Sequence, residues 1–451
     1  MSLVCGRCIE EAMNQIIDHE HYQQTRKIKA PEPIAILHWL RKNQILAPPY
    51  YLHINQGNAE IGWQAKEHIS FLDGQTTVAD DWVSAIKRIG DQAAAANSKA
   101  FGYLGFDSCC DSTQGFAPDK SATFPLVQFF IPEHRICINA GQIEYRGTDT
   151  RLLDRILDIP ASSTPLQLPQ STPDVEFPEQ AFMGAVAAAK QSMSNSITKV
   201  VLSRYLGFDY DADLLELFNV YCLQQQYTDA ILMDFGSVGA AIASPELLIA
   251  IDSGMILANP LAGTRRLGKD AAENNKLAQE LLADRKELAE HTLALLLMLK
   301  ELQPYCEPGT LVVKRLLDIV QSTNIMHLSS ELEGRLSAEK HCVDAMLSLF
   351  PSAMVSGVPK SESIKLLRDL EPFPRGLFAG TVGWVSGRNC RFAVTIRGMY
   401  KYGTRLFVQA GAGVMAESDP VQENEEVKMK MSPMLAALSG NANNPSHRMG
   451  L

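Results

Sequence analysis

Two pairs of glutamates with helical spacing stand out in this sequence. Glu287 and Glu290 are three residues apart in the motif DRKELAEH, and Glu423 and Glu426 have the same spacing in ENEEV. On a helix, this spacing places both carboxylates of a pair on one face. Two such helices could supply oxygen ligands to a hard divalent cation and leave sites for water and substrate. Taken alone, each glutamate-rich face predicts only a solvated helix surface.

The elements that must position these pairs are two helices. A helical pattern from about Asp270 to Leu302 carries the first pair. Before the second pair, Asp419 is a suitable N-cap and Pro420 a suitable first helical residue.

Two further residues have types suited to proton transfer. Lys199 begins the apolar stretch KVVLSR and could act as a base if burial lowers its pKa. The alternative is an edge lysine that reaches water. Glu246, in SPELL, lies between apolar strands and could stay protonated as a general acid, although a solvated turn glutamate would look the same.

Three segments carry groups suited to binding an anionic substrate. Residues 259–268 combine small, hydroxyl and basic residues, and His327 stands beside apolar residues. Arg397 precedes the sequence QAGAG, where glycines allow backbone N–H groups to approach a carboxylate and arginine can clamp one. Lys430 lies one turn after Glu426. The alternatives are a surface turn for residues 259–268, a core histidine for His327 and a tight turn for the glycines of QAGAG.

Composition excludes several classes of protein. The chain has 451 residues, of which 46% are hydrophobic and 20% charged, and a formal net charge of −10. Such values are typical of a globular protein, and without a basic stripe we expect no nucleic-acid partner. No apolar stretch is long enough to span a membrane. Nine cysteines without framework spacing favour a cytoplasmic location, and the CxxC of Cys5 and Cys8 has no second half-site nearby.

The order of predicted elements indicates an α+β fold with antiparallel sheets, because strands come in sets without regular βαβ alternation. We expect a partly helical lead-in over residues 1–30, short strands over 33–75 and a helix over 311–320 among the elements. A proline-rich linker, residues 159–178, divides a strand-rich part, 1–177, from a catalytic part, 178–440. The two parts need not be separate domains, and we expect 441–451 to be a disordered tail.

Several motifs in one order resemble those of the chorismate-utilising enzymes, which include anthranilate, isochorismate and salicylate synthases. They are KVVLSR, SPELL, PLAGTR, DRKELAEH, SGVPK, PRGLFAGTVGW, TIR, QAGAG and ENEEV, spread from about residue 199 to 433. The first third resembles the salicylate-synthase branch. This resemblance implies one large α+β domain with two antiparallel sheets and flanking helices around a central Mg²⁺ site.

The resemblance also implies roles for single residues. Glu290 and Glu426 would bind Mg²⁺ directly, with Glu287 and Glu423 helping through water. Thr264 and the turn of Gly411 and Gly413 would bind the ring carboxylate, and Arg397 and Lys430 would bind the enolpyruvyl carboxylate. His327 would line the ring site. Glu246 would protonate the departing C4 hydroxyl.

Lys199 distinguishes the branches, because relatives that add water at C2 of chorismate carry a lysine base here, whereas ammonia-using relatives do not. The implied first product is isochorismate, followed by pyruvate elimination to salicylate. Met354 and Phe378 depart from the salicylate-synthase pattern, so an enzyme that stops at isochorismate remains the alternative. An ammonia-using subunit and a non-catalytic homologue are further alternatives. The resemblance favours a monomer without a glutaminase partner, and such products usually feed the synthesis of a siderophore or a related aromatic metabolite.

Overall fold

The computed structural model describes residues 22–27, 32–71, 82–109, 124–159, 171–193, 197–210, 213–225, 227, 229–321 and 325–439. Its strands are β1 (Tyr22–Lys27), β2 (Tyr50–Asn55), β3 (Asn58–Phe71), β4 (Ala100–Leu104), β5 (Val127–Asn139), β6 (Gln142–Gly147), β7 (Val175–Glu176), β8 (Lys199–Asp209), β9 (Asp229–Asp234), β10 (Val238–Ala243), β11 (Glu246–Asp252), β12 (Met255–Ala258), β13 (Leu261–Arg266), β14 (Val312–Gln321), β15 (Ile325–Arg335), β16 (Gly357–Val358), β17 (Thr381–Ser386), β18 (Asn389–Val394), β19 (Gly398–Tyr402) and β20 (Arg405–Val414).

The α-helices are α1 (Pro33–Lys42), α2 (Trp82–Ala95), α3 (Leu152–Leu157), α4 (Glu179–Ser192), α5 (Leu214–Gln225), α6 (Ala271–Ala283), α7 (Arg285–Leu302), α8 (Cys342–Leu349), α9 (Lys360–Leu370) and α10 (Pro420–Leu438). Short 3₁₀ turns cover Phe106–Cys109 and Gln303–Tyr305.

All strand pairs in the described residues are antiparallel, as the predicted α+β class requires. The ladders form two arms that share β5. One arm runs from β5 through β3, β2, β9, β10, β19 and β20 to β8. The other runs from β5 through β4, β17, β18, β11 and β12 to β15. The expected pair of sheets is thus one connected network.

Strands from both sides of the proline-rich segment alternate in these ladders. β2 pairs with β9, and β4 pairs with β17. The rings of Tyr51 and Phe101, from different arms, stack with centroids 4.6 Å apart inside a shared apolar core. Residues 160–170 of the linker and the tail from residue 440 onward lie outside the described residues.

Four predicted elements were wrong. Residues 33–42 form a helix, because Pro33 begins it and Ile36, Leu37 and Leu40 bury one face. Within the predicted lead-in, residues 22–27 form a strand paired with β6. The stretch 311–320, predicted as a helix, contributes to strand β14. The spacing of its apolar residues fits a helix or a strand, and hydrogen bonding to β15 selects the strand.

The fourth error concerns the long helix over 270–302, which is two helices. Asp284 separates them in an extended conformation, with ψ of 111°. Its carboxylate oxygen Oδ1 accepts hydrogen bonds from the backbone N–H groups of Lys286 (3.0 Å) and Glu287 (3.3 Å). Asp284 therefore caps the N-terminus of α7 and fixes where the first glutamate pair starts.

Candidate active site

The first glutamate pair projects from α7 toward β13 and β8. A Cβ atom built on Gly263 would lie 3.2 Å from Glu287 Oε2, so this backbone passes directly beside the carboxylate. Gly263 has a φ of +79°, which glycine adopts without strain. Glu290 Oε2 lies 3.4 Å from the Nζ atom of Lys199. The side chains of Glu287 and Glu290 therefore both reach toward strands of the sheet.

The second pair lies in the first turns of α10. Asp419 caps this helix, and Pro420 is its first residue, as predicted. Glu423 is buried, with 4% of its surface exposed, and Glu426 Oε1 lies 2.7 Å from the Nζ atom of Lys430.

The carboxylates of the two helices repel one another. Burial raises the pKa of Glu287, and the negative charge of Glu290 raises it further. Burial likewise raises the pKa of Glu423, and the negative charges of Glu426 and Glu290 raise it further. Burial also acts on Glu426, but the ammonium group of Lys430 outweighs it and lowers the pKa. Charges on both helices thus meet across one space, which is the condition that favours binding of a cation.

These four carboxylates have the oxygen chemistry that Mg²⁺ prefers. As placed, however, no three His, Cys, Asp or Glu side chains in the described parts of the chain are arranged to hold a metal ion. Three glutamates are instead ion-paired: Glu290 with Lys199, Glu426 with Lys430, and Glu287 Oε1 with Arg265 at 3.4 Å. The donor set fits the ion, and coordination would require side chains to leave these pairs.

Lys199 is the first residue of β8 and is buried, with 5% of its surface exposed. β16 covers one side of this strand end, where Val358 pairs with Lys199, and β20 covers the other. A Cβ atom on Gly413 would lie 2.8 Å from Lys199 Cε, so the absence of a side chain there makes room for the lysine. Lys199 is therefore not an edge lysine in water.

Glu246 is the first residue of β11 and is 9% exposed. Its Oε1 atom accepts a hydrogen bond from the backbone N–H of Leu261 at 3.3 Å. Burial raises the pKa of Glu246 to about 7, against the opposing effects of the Leu261 N–H group and the charges of Arg397, Lys199 and Lys430. The carboxyl group thus holds a proton in part of the population near neutral pH and can donate it.

His327 and Arg397 form a hydrogen-bonded pair. His327 Nδ1 lies 3.2 Å from the carbonyl oxygen of Gly263, which can only accept, so the hydrogen belongs on Nδ1. The Nη2 atom of Arg397 then donates to His327 Nε2 at 2.7 Å. Burial and the charge of Arg397 lower the pKa of His327 to about 3, so the imidazole is neutral with a fixed tautomer.

The glycine-bearing segment is extended and is not the predicted turn. Gly411 and Gly413 belong to β20, opposite Ser203 and Val201 of β8. Lys430 Nζ donates to the carbonyl oxygen of Gly411 at 2.9 Å, which ties α10 to this strand. A Cβ atom on Gly411 would lie 2.9 Å from the carbonyl oxygen of Leu202, so close strand packing explains the glycine there.

Thr264 lies on β13 opposite His327, but its side chain lies outside the described residues. Two residues beside the first glutamate pair, Gly263 and Arg265, were not singled out from the sequence. Gly263 passes beside Glu287, and Arg265 Nη2 pairs with Asp284 Oδ2 at 2.5 Å as well as with Glu287. Both residues lie in the segment PLAGTRR, whose basic groups were expected to bind an anion. That anion is a carboxylate of the protein itself.

Comparison with known proteins defines the class of protein. The family described as chorismate binding enzyme matches residues 47–436. The chain therefore belongs to this family, as the sequence motifs indicated.

Individual relatives carry several activities. The chain is 29% identical over 350 residues to a salicylate synthase of Mycolicibacterium paratuberculosis, covering 76% of this chain and 77% of the relative. It is 30% identical over 320 residues to anthranilate synthase component 1 of Methanothermobacter thermautotrophicus, covering 70% and 69%. The structure of MenF, the menaquinone-specific isochorismate synthase from Escherichia coli, matches with a TM-score of 0.73 and 20% identity over 96% of this chain and 99% of MenF. This last likeness shows a shared α+β fold. No helix among the described residues is long and apolar enough to cross a membrane.

Proposed function

We propose that this protein is a Mg²⁺-dependent enzyme that converts chorismate to isochorismate and then eliminates pyruvate to give salicylate. The proposal rests chiefly on the buried Lys199, which lies within electrostatic range of a Glu246 carboxyl group whose pKa is about 7. A base and an acid in one buried site suit a reaction that adds water at one ring carbon and removes a hydroxyl group from another.

In this mechanism Lys199 removes a proton from the water that attacks C2, and Glu246 protonates the departing C4 hydroxyl. Arg397 and Lys430 bind the enolpyruvyl carboxylate, Thr264, Gly411 and Gly413 hold the ring carboxylate, and His327 lines the ring site. The neutral imidazole of His327, fixed by Gly263, keeps the guanidinium of Arg397 in place. Glu290 and Glu426 would hold Mg²⁺ directly, with Glu287 and Glu423 assisting through water. The ion would neutralise charge on the substrate carboxylate.

The second candidate is an isochorismate synthase that does not release pyruvate. Phe378 favours it, because this buried residue, 2% exposed, packs its ring against Tyr400 with centroids 6.3 Å apart and offers no hydroxyl group. Met354 is a larger residue than either branch is expected to carry. An ammonia-using subunit is disfavoured by the presence of Lys199, because ammonia attacks as a neutral nucleophile and needs no base to activate it.

The test is to incubate the purified protein with chorismate and Mg²⁺, with and without ammonium, and to separate the products. Salicylate with an equal amount of pyruvate, formed without ammonium, is the expected result. Isochorismate alone would replace the proposal by the second candidate. An amino product that requires ammonium would refute the role of Lys199 as the base for water. Lys199→Gln is the matched variant, because it should abolish the water-dependent reaction and retain the fold.

A further inference from the structure

A buried ion pair beside the site joins the strand of Lys199 to the segment that follows Met354. Arg375 and Glu371 have side chains that are only 2% and 3% exposed. Arg375 Nε donates to Glu371 Oε2 at 2.8 Å, and its Nη2 donates to Glu371 Oε1 at 2.7 Å. This two-point contact fixes the plane of the guanidinium group.

The remaining donors of Arg375 reach two backbone carbonyls on different segments. Nη1 donates to the carbonyl oxygen of Val355 at 2.7 Å, and Nη2 donates to that of Val201 at 2.5 Å. Val201 lies two residues after Lys199 on β8, and Val355 directly follows Met354. One rigid group therefore sets the spacing between these two segments.

Glu371 is anchored independently of Arg375. Its Oε1 atom accepts hydrogen bonds from the backbone N–H (2.7 Å) and the hydroxyl (2.9 Å) of Ser203. The amide of Gln409, on β20, donates to that same hydroxyl at 2.9 Å. The ion pair is thus connected to the strand that carries Gly411 and Gly413 as well.

Further hydrogen bonds connect the 355–358 segment to the start of β8, which carries Lys199. Val201 N donates to the carbonyl oxygen of Ser356 at 3.0 Å, and Thr198 N donates to that of Val358 at 2.9 Å. The carbonyl oxygen of Lys199 itself accepts from the hydroxyl of Ser363 at 3.0 Å. The start of β8 therefore follows any displacement of the 355–358 segment.

We propose that Arg375, held by Glu371, is a positioning residue for turnover, which aligns Lys199 with the Met354 segment. Lysine cannot replace it, because an ammonium group has no planar fork to reach one carboxylate and two carbonyls together. The role rests on the proposed function, since it concerns the efficiency of chorismate turnover.

The test compares Arg375→Lys and the milder Ser203→Ala with a control ion pair. Arg135→Lys is the control, because Arg135 Nε donates to Glu60 Oε1 at 2.8 Å between β5 and β3, away from Lys199. For each variant we would measure the midpoint of unfolding, backbone amide exchange, and kcat and KM for chorismate consumption.

The expected result for Arg375→Lys is faster amide exchange at residues 198–203 and 355–358. With it we expect a fall in kcat on the order of 10- to 100-fold, as small misplacements of catalytic groups cause. KM should change less than kcat, because the hydrogen bonds of Arg375 reach Glu371, Val355 and Val201 and none of the proposed enolpyruvyl-binding groups. Where the wild type makes salicylate, the share of isochorismate should rise. Ser203→Ala should show the same changes to a smaller extent, and Arg135→Lys should leave kcat unchanged.

Variants at both Arg375 and Ser203 that lose stability but keep the wild-type kcat would overturn the inference and leave the proposed function intact. Equal kinetic loss in Arg135→Lys would also overturn it, because general destabilisation would then explain the effect. A wild-type protein that consumes no chorismate, with or without ammonium, would overturn the proposed function and the inference together. If Arg375→Lys does not fold, Ser203→Ala decides.

Discussion

Replacing Glu246 by glutamine should change how the stability of the metal-free protein depends on pH. The carboxyl group is buried, and burial raises its pKa from 4.5 to about 7. In the unfolded chain the same group has its ordinary pKa. Between these two values the folded protein keeps a proton that the unfolded chain releases, so unfolding becomes easier as the pH rises.

The size of the effect follows from the two pKa values. Each pKa unit corresponds to about 1.4 kcal/mol, so a group with these values lowers the free energy of unfolding by about 2.5 kcal/mol between pH 5 and pH 8. This contribution is fully present below the unfolded pKa and is lost as the pH passes through the folded pKa. Glutamine does not titrate, so the variant lacks this loss.

Urea unfolding of both proteins at pH 5, 6, 7 and 8, in the presence of a chelator, measures the difference. The stability of Glu246→Gln relative to the wild type should rise by about 2.5 kcal/mol over this range. Glu362→Gln is the matched control, because Glu362 is an exposed residue of α9 and should show no such trend. Parallel pH curves for Glu246→Gln and the wild type would refute the buried, protonated acid.

Three further predictions concern the same site, and a fourth concerns a glycine of α4. Gly413→Ala should lower kcat, since the new methyl group would lie 2.8 Å from Lys199 Cε, and an active Gly413→Ala enzyme would contradict this expectation. Gly184→Ala on α4, where nothing lies within 4 Å, should instead raise the unfolding free energy by roughly 0.5–1 kcal/mol. Asp284→Ala should cost about 1 kcal/mol of stability through loss of the α7 cap, measured by urea unfolding, and an unchanged midpoint would show that the cap contributes nothing. Glu290→Gln should weaken Mg²⁺ binding measured by calorimetry without substrate, and wild-type affinity would remove Glu290 from the ligand set.

The sequence by itself determined the class of fold and the local features that depend on near neighbours. Asp419 and Pro420 start α10 as predicted, because capping and a fixed φ act within one turn. The glutamate spacing placed each pair on one helix face, since the helical period alone decides that. The order of motifs was sufficient for the family, because each motif is a short continuous segment.

Elements with ambiguous periods needed the tertiary structure. Residues 312–321 carry apolar residues that suit a helix or a strand, and the hydrogen bonds offered by β15 select the strand. The glycines of QAGAG looked like a turn, but β8 on one side extends them into β20. Asp284 could have been an ordinary residue of a long helix, yet its side chain caps α7 and pairs with Arg265.

Only the tertiary structure decided the electrostatic environment of the site. Lys199 and Glu246 lie far apart in the chain, and each fits an exposed position as well as a buried one. The strands beside β8 and β11 remove both from water, which raises the pKa of Glu246 to about 7. The partners of Arg375 come likewise from three separated segments. Desolvation and charge pairing depend on what surrounds a group in space, and the sequence near that group does not specify it.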